Sequence, residues 1–173
     1  MGYDFSKVRV LVAESTREMY DLFKSVLVML GIPEINIESA FTSDEAFYKF
    51  RNHNYDLIIT DWLENPGKGI ELTKEIRTNN DSPNQYVPII MTAGSSHYER
   101  VIKARDAGIS EYLVKPFAAN ALATRISRVI ENPRNFVLCY SYTGPDRRNR
   151  SVAVDFPDRR HPGVIHVNDI AFA

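Results

Sequence analysis

The chain has little of several features that would define its class at once. It holds one cysteine, Cys139, in 173 residues, which excludes an internal disulfide framework and a multi-cysteine zinc site. No apolar run is long enough to span a bilayer, and the first residues form no apolar signal region. The formal net charge of −1 gives no general electrostatic argument for nucleic acid or an anionic membrane as a partner. These absences predict a soluble, cytoplasmic protein without membrane insertion.

The composition that is present predicts one main domain and a short extension. Hydrophobic residues at 44% and charged residues at 25% are ordinary globular values. Residues 1–131 carry a net charge of −3, whereas residues 132–173 hold six arginines and four acidic residues, a balance of +2. The extension has strand-like runs at 137–142 and 151–156 but no recognisable output domain, so direct DNA binding is not expected. It either packs back on the main domain or reaches a partner, which includes a second copy of the chain.

The extension also contains a short internal repeat. Pro-Asp-Arg-Arg occurs at 145–148 and again at 157–160. Proline and aspartate favour turns, so a pair of turns with solvated arginines is the simpler interpretation and an anion site is the alternative.

The main domain alternates short β-branched runs with amphipathic stretches five times between residues 8 and 131. This alternation predicts βα units around a parallel sheet, which is the doubly wound α/β class. Two helix starts are marked by capping boxes. Ser15 with Glu18 is predicted to cap the first helix, and Thr42 with Glu45 the second.

Four predicted strands each end on a polar residue. Glu14, Asp61, Thr92 and Lys115 follow apolar runs directly or close them. Because the carboxyl ends of parallel strands lie on one edge of a sheet, these four side chains should converge there.

This set of groups suits the acceptance of a phosphoryl group on an aspartate. An ionised carboxylate can attack phosphorus if a metal neutralises the phosphoryl oxygens. Asp61 and Glu14 would supply carboxylates to Mg²⁺, which accepts one or two of them. The Lys115 ammonium would contact one phosphoryl oxygen, and the Thr92 hydroxyl with the Ala93 amide would contact another.

Four segments in the same order resemble a bacterial response-regulator receiver domain of the chemotaxis type. The resemblance covers about residues 7–131 and includes Gly69, eight positions beyond the aspartate. It implies a flavodoxin-like sheet of five parallel strands in the order 2-1-3-4-5, five flanking helices and a short β-like tail. The segments that carry it are Val10-Leu11-Val12-Ala13-Glu14, Asp56-Leu57-Ile58-Ile59-Thr60-Asp61, Met91-Thr92-Ala93 and Tyr112-Leu113-Val114-Lys115-Pro116-Phe117.

The resemblance also implies a role for individual residues. Asp61 is then the phosphoacceptor, and the metal ligands are Glu14, Asp61 and the backbone carbonyl of Leu63. Thr92 is the switch hydroxyl that contacts phosphate together with the Ala93 amide and Lys115, and Tyr112 is the aromatic that changes rotamer with it. The Lys115–Pro116 bond is then cis.

Two departures from the family pattern bear on the metal. The family usually has two adjacent acids after the first strand, whereas this chain has Ala13-Glu14, so one carboxylate is missing and metal affinity is expected to fall. The loop after Asp61 contains Glu64, a candidate to replace that acid.

The leading hypothesis is a phosphoacceptor switch of a two-component or phosphorelay system. It would receive its phosphoryl group from a histidine kinase or a histidine phosphotransfer protein and change its binding to an unknown downstream protein. The alternative is a phosphorylation-independent pseudo-receiver. A metabolic enzyme is not expected, because phosphohydrolases with an aspartate nucleophile carry a second aspartate two places on, where this chain has Leu63.

Overall fold

A computed structural model describes residues 4–94, 96–139, 142–147 and 164–165. The predicted doubly wound sheet is confirmed: five parallel strands lie in the order β2-β1-β3-β4-β5. The strands are β1 Val10–Ala13, β2 Ile37–Ala40, β3 Leu57–Thr60, β4 Ile89–Ala93 and β5 Glu111–Val114. The helices are α1 Arg17–Met29, α2 Ser43–Asn52, α3 Glu64–Thr78, α4 Tyr98–Ala107 and α5 Ala119–Glu131.

Both faces of the sheet are covered, which explains the near-continuous apolar strands. On one face Val10 and Val12 pack with residues of α1 and α5, including Phe23 and Ile126. On the other face the core includes Leu11 and Ala13 with residues of α2, α3 and α4. Packing on both faces fixes the register of the strands, so their carboxyl ends lie along one edge of the sheet.

The two predicted capping boxes have different outcomes. The second is confirmed, because the Glu45 amide donates to the Thr42 hydroxyl at 3.2 Å and the Glu45 carboxylate accepts from the Phe41 amide at 2.9 Å. The first is wrong: α1 is capped at Thr16, without a side-chain hydrogen bond to the helix. The Ser15 hydroxyl instead points at Asp61, across the edge of the sheet.

The extension folds into a small antiparallel sheet. Strands β6 (Phe136–Cys139), β7 (Tyr142–Pro145) and β8 (Val164–Ile165) lie in the order β7-β6-β8. The strand-like run predicted over 137–142 is confirmed at its described residues, which belong to two strands that pair Cys139 with Tyr142. The run 151–156 and the second Pro-Asp-Arg-Arg lie outside the described residues.

The extension packs back on the main domain, as one of the two hypotheses stated. Phe136 is 4% exposed and meets the Tyr86 ring edge-on at 5.3 Å between centroids. The guanidinium of Arg77, at the end of α3, lies 5.1 Å from the Phe136 ring centroid and donates to the carbonyls of Gly108 and Gln85. These contacts fix the extension at the amino end of the sheet, opposite the ends of the strands that carry the polar residues.

Gly108 shows how closely the extension approaches. It ends α4 with φ +101°, and a Cβ there would lie 2.6 Å from the Thr143 carbonyl oxygen. Only glycine combines this backbone conformation with that contact.

Within the described residues, no helix has the length and apolarity needed to cross a membrane.

Candidate phosphorylation site

The carboxyl ends of β1, β3 and β5 bring Glu14, Asp61 and Lys115 together, as the strand pattern predicts. The Asp61 amide donates to the Ala13 carbonyl at 3.1 Å, and the Lys115 amide donates to the Ala93 carbonyl at 2.7 Å. These backbone bonds continue the sheet by one residue past each strand. The first side chain beyond each strand is therefore held at the edge rather than in a mobile loop.

The Lys115 ammonium joins the two acidic groups. Its Nζ lies 2.7 Å from Glu14 Oε2 and 3.9 Å from Asp61 Oδ2. The Glu14 side chain is 2% exposed and that of Asp61 13%. Two carboxylates and one ammonium leave the cluster with a charge of −1, held largely out of water.

Burial raises the pKa of the Glu14 carboxyl above its ordinary value. The neighbouring Asp61 carboxylate raises that pKa further, and the hydrogen bond from Lys115 opposes both effects. The charged form of Glu14 is thus held against the cost of burial by a cation. A second cation at this edge would favour it more.

Asp61 is held at both carboxylate oxygens. The Leu63 amide donates to Oδ1 at 2.5 Å, and the Ser15 hydroxyl donates to Oδ2 at 3.1 Å. Leu63 adopts φ +44°, the one positive φ of a non-glycine residue among those described. The backbone turns sharply here and directs the Leu63 amide back at the aspartate.

Gly69 allows this turn to pack against the start of α3. A Cβ at this position would lie 2.0 Å from the Asp61 carbonyl oxygen, well inside contact distance. The Gly69 amide also donates to the Trp62 carbonyl at 2.9 Å. Glycine is required here by the close approach of the backbone that carries Asp61.

The groups present fit a magnesium ion. Two carboxylates, Glu14 and Asp61, lie at the edge, and the backbone of Leu63 follows them in the same loop. In the described part of the chain, no group of three or more His, Cys, Asp or Glu side chains is placed to hold a metal. An all-oxygen set with few protein ligands is what Mg²⁺ accepts, since it keeps several waters.

Comparison with known proteins identifies this arrangement. The family model described as the response regulator receiver domain matches residues 10–127. The chain belongs to this family. The receiver domain is 28% identical over 124 residues to chemotaxis protein CheY-3 of Vibrio cholerae, which covers 72% of this chain and 92% of that protein. Chemotaxis protein CheY of Pseudomonas aeruginosa is 27% identical, with 72% and 97% covered.

Solved structures agree on the fold. The Francisella response regulator 1452 receiver domain superposes with a TM-score of 0.64 at 27% identity, covering 74% of this chain and all of that one. Chemotaxis response regulator CheY4 of Vibrio cholerae gives a TM-score of 0.62 at 24% identity, covering 70% and 98%. The predicted resemblance and the predicted strand order are thus confirmed, and the chain is a receiver domain of two-component signalling followed by a C-terminal segment.

Ala13 occupies the position where the receiver pattern has an acid, and it is fully buried beside the core between the sheet and α2. Among the described side chains, Glu14 and Asp61 are the acids that lie within ion-pair distance of Lys115. Ser15, on the other side of Glu14 in sequence, is the neighbour that contacts Asp61. The side chain of Glu64, the proposed replacement, lies outside the described residues.

Three other residues that the sequence predicted for the site are Thr92, Ala93 and Tyr112. Thr92 is fully buried, and its hydroxyl donates to the Thr60 carbonyl at 3.4 Å. Ala93 ends β4, and the Ala93 carbonyl accepts from the Lys115 amide. Tyr112 is half-buried on β5 beside Met91 and packs against the core formed with α2, α3 and α4. The Lys115–Pro116 bond is cis, as the resemblance implied.

Sequence reasoning missed a contact between the site loop and α4. The Arg100 guanidinium lies 5.3 Å from the ring centroid of Trp62, the residue after Asp61. Gly67 lies close to the same ring, since a Cβ there would be 3.5 Å from it. The one signal available in the sequence was the position of the chain's single tryptophan next to the candidate phosphoacceptor.

Proposed function

We propose that this receiver domain accepts a phosphoryl group on Asp61 from a phosphohistidine of a histidine kinase or a histidine phosphotransfer protein. The phosphorylated form would then bind a downstream protein differently, in the cytoplasm. The observation that carries the proposal is the convergence of a buried glutamate, an aspartate and an ammonium at one edge of the sheet. The domain is a switch and not a metabolic enzyme.

The transfer balances without a general base. An ionised Asp61 oxygen attacks phosphorus and forms a P–O bond, while the P–N bond to the donor imidazole breaks. The imidazole nitrogen keeps the electron pair and takes a proton from solvent. The product is an aspartyl phosphate, and Asp61 supports this role because the Leu63 amide and the Ser15 hydroxyl already orient both of its oxygens.

Three residues would hold the metal that this reaction needs: Glu14, Asp61 and the carbonyl of Leu63. When bound, Mg²⁺ supplies positive charge that neutralises the phosphoryl oxygens. The Lys115 ammonium, which forms an ion pair with Glu14 in this structure, would then contact a phosphoryl oxygen. It is already within 3.9 Å of Asp61 Oδ2, so that change needs only a small movement of its flexible stem.

Thr92 would transmit the structural effect of phosphorylation to the surface of the domain. Its hydroxyl would leave the Thr60 carbonyl, a long contact of 3.4 Å, and donate to a phosphoryl oxygen beside the Ala93 amide. Tyr112, half-buried on the neighbouring strand, would follow by a change of rotamer. The surface formed by α4, β5 and α5 is then where a downstream protein, or a second copy of the chain, would detect phosphorylation.

A phosphorylation-independent pseudo-receiver is the second candidate. It is supported by the shortage of acidic groups, because among the described side chains the carboxylates paired with Lys115 are those of Glu14 and Asp61 alone. An ammonium then already compensates much of the local negative charge without a metal. In this case the fold would bind its partner in one state.

The experiment is a mass spectrum of the full chain after incubation with acetyl phosphate and Mg²⁺. One labile phosphoryl adduct is expected, absent from Asp61→Asn and from a sample without metal. Light scattering on the same samples measures whether the adduct changes the oligomeric mass. A folded wild-type protein that gains no adduct contradicts the proposal and favours the pseudo-receiver.

A further inference from the structure

A cavity of about 530 Å³ lies at the amino end of the five-stranded sheet, at the opposite end from the proposed phosphorylation site. Its floor is formed by residues at the start of strands or shortly before them: Val8, Asp56, Pro88 and Glu111. We propose that this cavity binds a small aromatic monocarboxylate, whose carboxylate contacts Arg128 and Arg134. The two sites share no residue, so the inference does not rest on the proposed function.

The extension completes the cavity. Phe136 of β6 and Pro145 of β7 line it, and the Phe136 ring meets that of Tyr86 edge-on at 5.3 Å between centroids. The lining residues from Arg128 to Pro145 follow the segment that matches the receiver domain. The volume lies in the range of pockets that bind small molecules between packed units. The cavity therefore belongs to this chain's combination of domain and extension.

The apolar part of the lining suits a flat ring. Tyr86 and Phe136 supply two aromatic side chains at 88° to each other, and Val129 and Ile130 line the cavity from the end of α5. Aromatic side chains favour edge-to-face or offset contacts with a further ring. A flat apolar body would gain both burial and such contacts here.

Positive charge is concentrated at the β5 side of the cavity. The Glu111 carboxylate, 7% exposed, contacts three guanidiniums: that of Arg125 at 2.5 Å, and those of Arg128 and Arg134 at 3.5 Å each. Arg128 and Arg134 share one oxygen of Glu111, and their side chains are 50% and 46% exposed. Since a guanidinium has five donors in a fork that fits a carboxylate, both arginines can bind a second one.

The other acids of the cavity determine how much charge the ligand carries. Glu111 with its three arginines has a charge of +2, and Glu131, three residues after Arg128 on α5, lowers this to +1. Asp56, whose carboxylate accepts from the Arg9 amide at 2.8 Å, lies before β3. Because β4 separates β3 from β5, Asp56 is about 10 Å from Glu111. A single negative charge is favoured beside the arginines, whereas a second one at the far end would face Asp56.

The first experiment titrates cinnamate, as a probe, into the full chain and follows binding by calorimetry. One-to-one binding with a Kd below about 1 mM is expected for a ligand of this size. Saturating cinnamate should also raise the melting temperature, because it binds the folded chain alone. Absence of saturable binding overturns the proposal.

Three analogues test the charge of the ligand. Cinnamyl alcohol has no charge, and para-carboxycinnamate has a second carboxylate at the far end, so each should bind at least about tenfold more weakly than cinnamate. Cinnamyl phosphate carries more negative charge on the same body and should also bind more weakly. An alcohol or a dicarboxylate that binds as tightly as cinnamate overturns the assigned charge. A phosphate that binds more tightly overturns the choice of a carboxylate.

Variants test the location of the site. Arg134→Gln and Arg128→Gln should each lower cinnamate affinity at least about tenfold, since each removes one guanidinium from the carboxylate. Each leaves two arginines on Glu111, and urea unfolding confirms that the variants are folded. Arg51→Gln is the matched control, because Arg51 is 48% exposed, pairs with Asp81 and does not line the cavity. Wild-type affinity in both cavity variants, or an equal loss in the control, overturns the proposal.

Asp61→Asn separates this site from the phosphorylation site. The variant should bind cinnamate with wild-type affinity, because Asp61 lies at the other end of the sheet. A loss of binding in folded Asp61→Asn would place the probe at the wrong end and overturn the proposal. Cinnamate binding is measured without a phosphodonor or magnesium, so a failure of the proposed function does not affect the result.

Discussion

The two ends of the same sheet each hold a charge cluster, and the clusters are built in opposite ways. At the carboxyl end, two acids share one ammonium, for a charge of −1. At the amino end, the Glu111 carboxylate is surrounded by three guanidiniums, for a charge of +2: Arg125 at 2.5 Å, and Arg128 and Arg134 at 3.5 Å each.

The difference between the two clusters indicates which carboxylate has a structural role and which is available for chemistry. Both oxygens of Glu111 are occupied by cations that belong to α5 and the extension, so this carboxylate holds structure together. Asp61 instead accepts hydrogen bonds from two neutral donors, and the Lys115 ammonium lies 3.9 Å from its Oδ2. Under the proposed function, such a carboxylate remains available to bind a metal and to attack phosphorus.

The largest effect is expected from Gly69→Ala, at the carboxyl end. The new Cβ would meet the Asp61 carbonyl oxygen at 2.0 Å, so the loop must shift, at a cost of about 4 kcal/mol in unfolding free energy. Urea unfolding measures the loss, and adduct formation at Asp61 should fall with it. Gly94→Ala is the control, because a Cβ there meets nothing within 4 Å. Equal losses in the two variants would contradict the steric argument.

Phe136→Ala tests whether the amino end is structural alone. Phe136 is 4% exposed between Tyr86 and Arg77, and its truncation should cost about 3 kcal/mol. The adduct at Asp61 should still form, since that end of the sheet is untouched. Leu138→Ala, on the same strand but 40% exposed, should cost much less. Loss of the adduct in folded Phe136→Ala would show that the two ends are coupled.

Glu111→Gln removes the single acid of the amino cluster. Three guanidiniums would then repel one another around a 7% exposed amide, at a cost of about 2 kcal/mol that added salt should reduce. Unfolding at low and high ionic strength measures both effects. The comparison variant is Glu38→Gln, whose pair with Arg9 is 30–39% exposed and should contribute little. Similar costs for the two would indicate that Glu111 is no more than a surface partner.

The smallest effect concerns Tyr55, just before β3. Burial, and then the nearby Glu38 carboxylate, raise the pKa of the Tyr55 hydroxyl well above its ordinary value of 10.0. In the unfolded chain the hydroxyl loses its proton more readily, so stability should decline as pH rises above about 10. Between about pH 8 and pH 11, wild type should lose about 1 kcal/mol more than Tyr55→Phe. Tyr48→Phe, 69% exposed, should behave as wild type.

The fold and much of the site were predictable because their signals are local. A strand buried on both faces is read from consecutive apolar residues, and a polar residue that follows it must lie at the sheet edge. This local logic placed Glu14, Asp61 and Lys115 correctly, although Lys115 lies 101 residues from Glu14 in the chain. The second capping box succeeded for the same reason, since its partners are three residues apart.

The failures occur where two local choices compete and a distant group decides between them. Ser15 has the right chemistry for a helix cap, but Asp61, 46 residues away, takes its hydroxyl. The division of the strand-like run 137–142 between two strands is likewise set by tertiary pairing, since Cys139 lies opposite Tyr142.

By itself the sequence determined the doubly wound sheet, its five βα units and the acidic edge with its lysine, because periodicity and strand ends follow from the chain's own order. Only the tertiary structure decided that Ser15 serves Asp61, that Arg100 lies over Trp62 and that Phe136 docks the extension on Arg77. Each of these contacts joins segments far apart in the chain. The direction of a side chain there depends on what the fold brings beside it, which no local pattern contains.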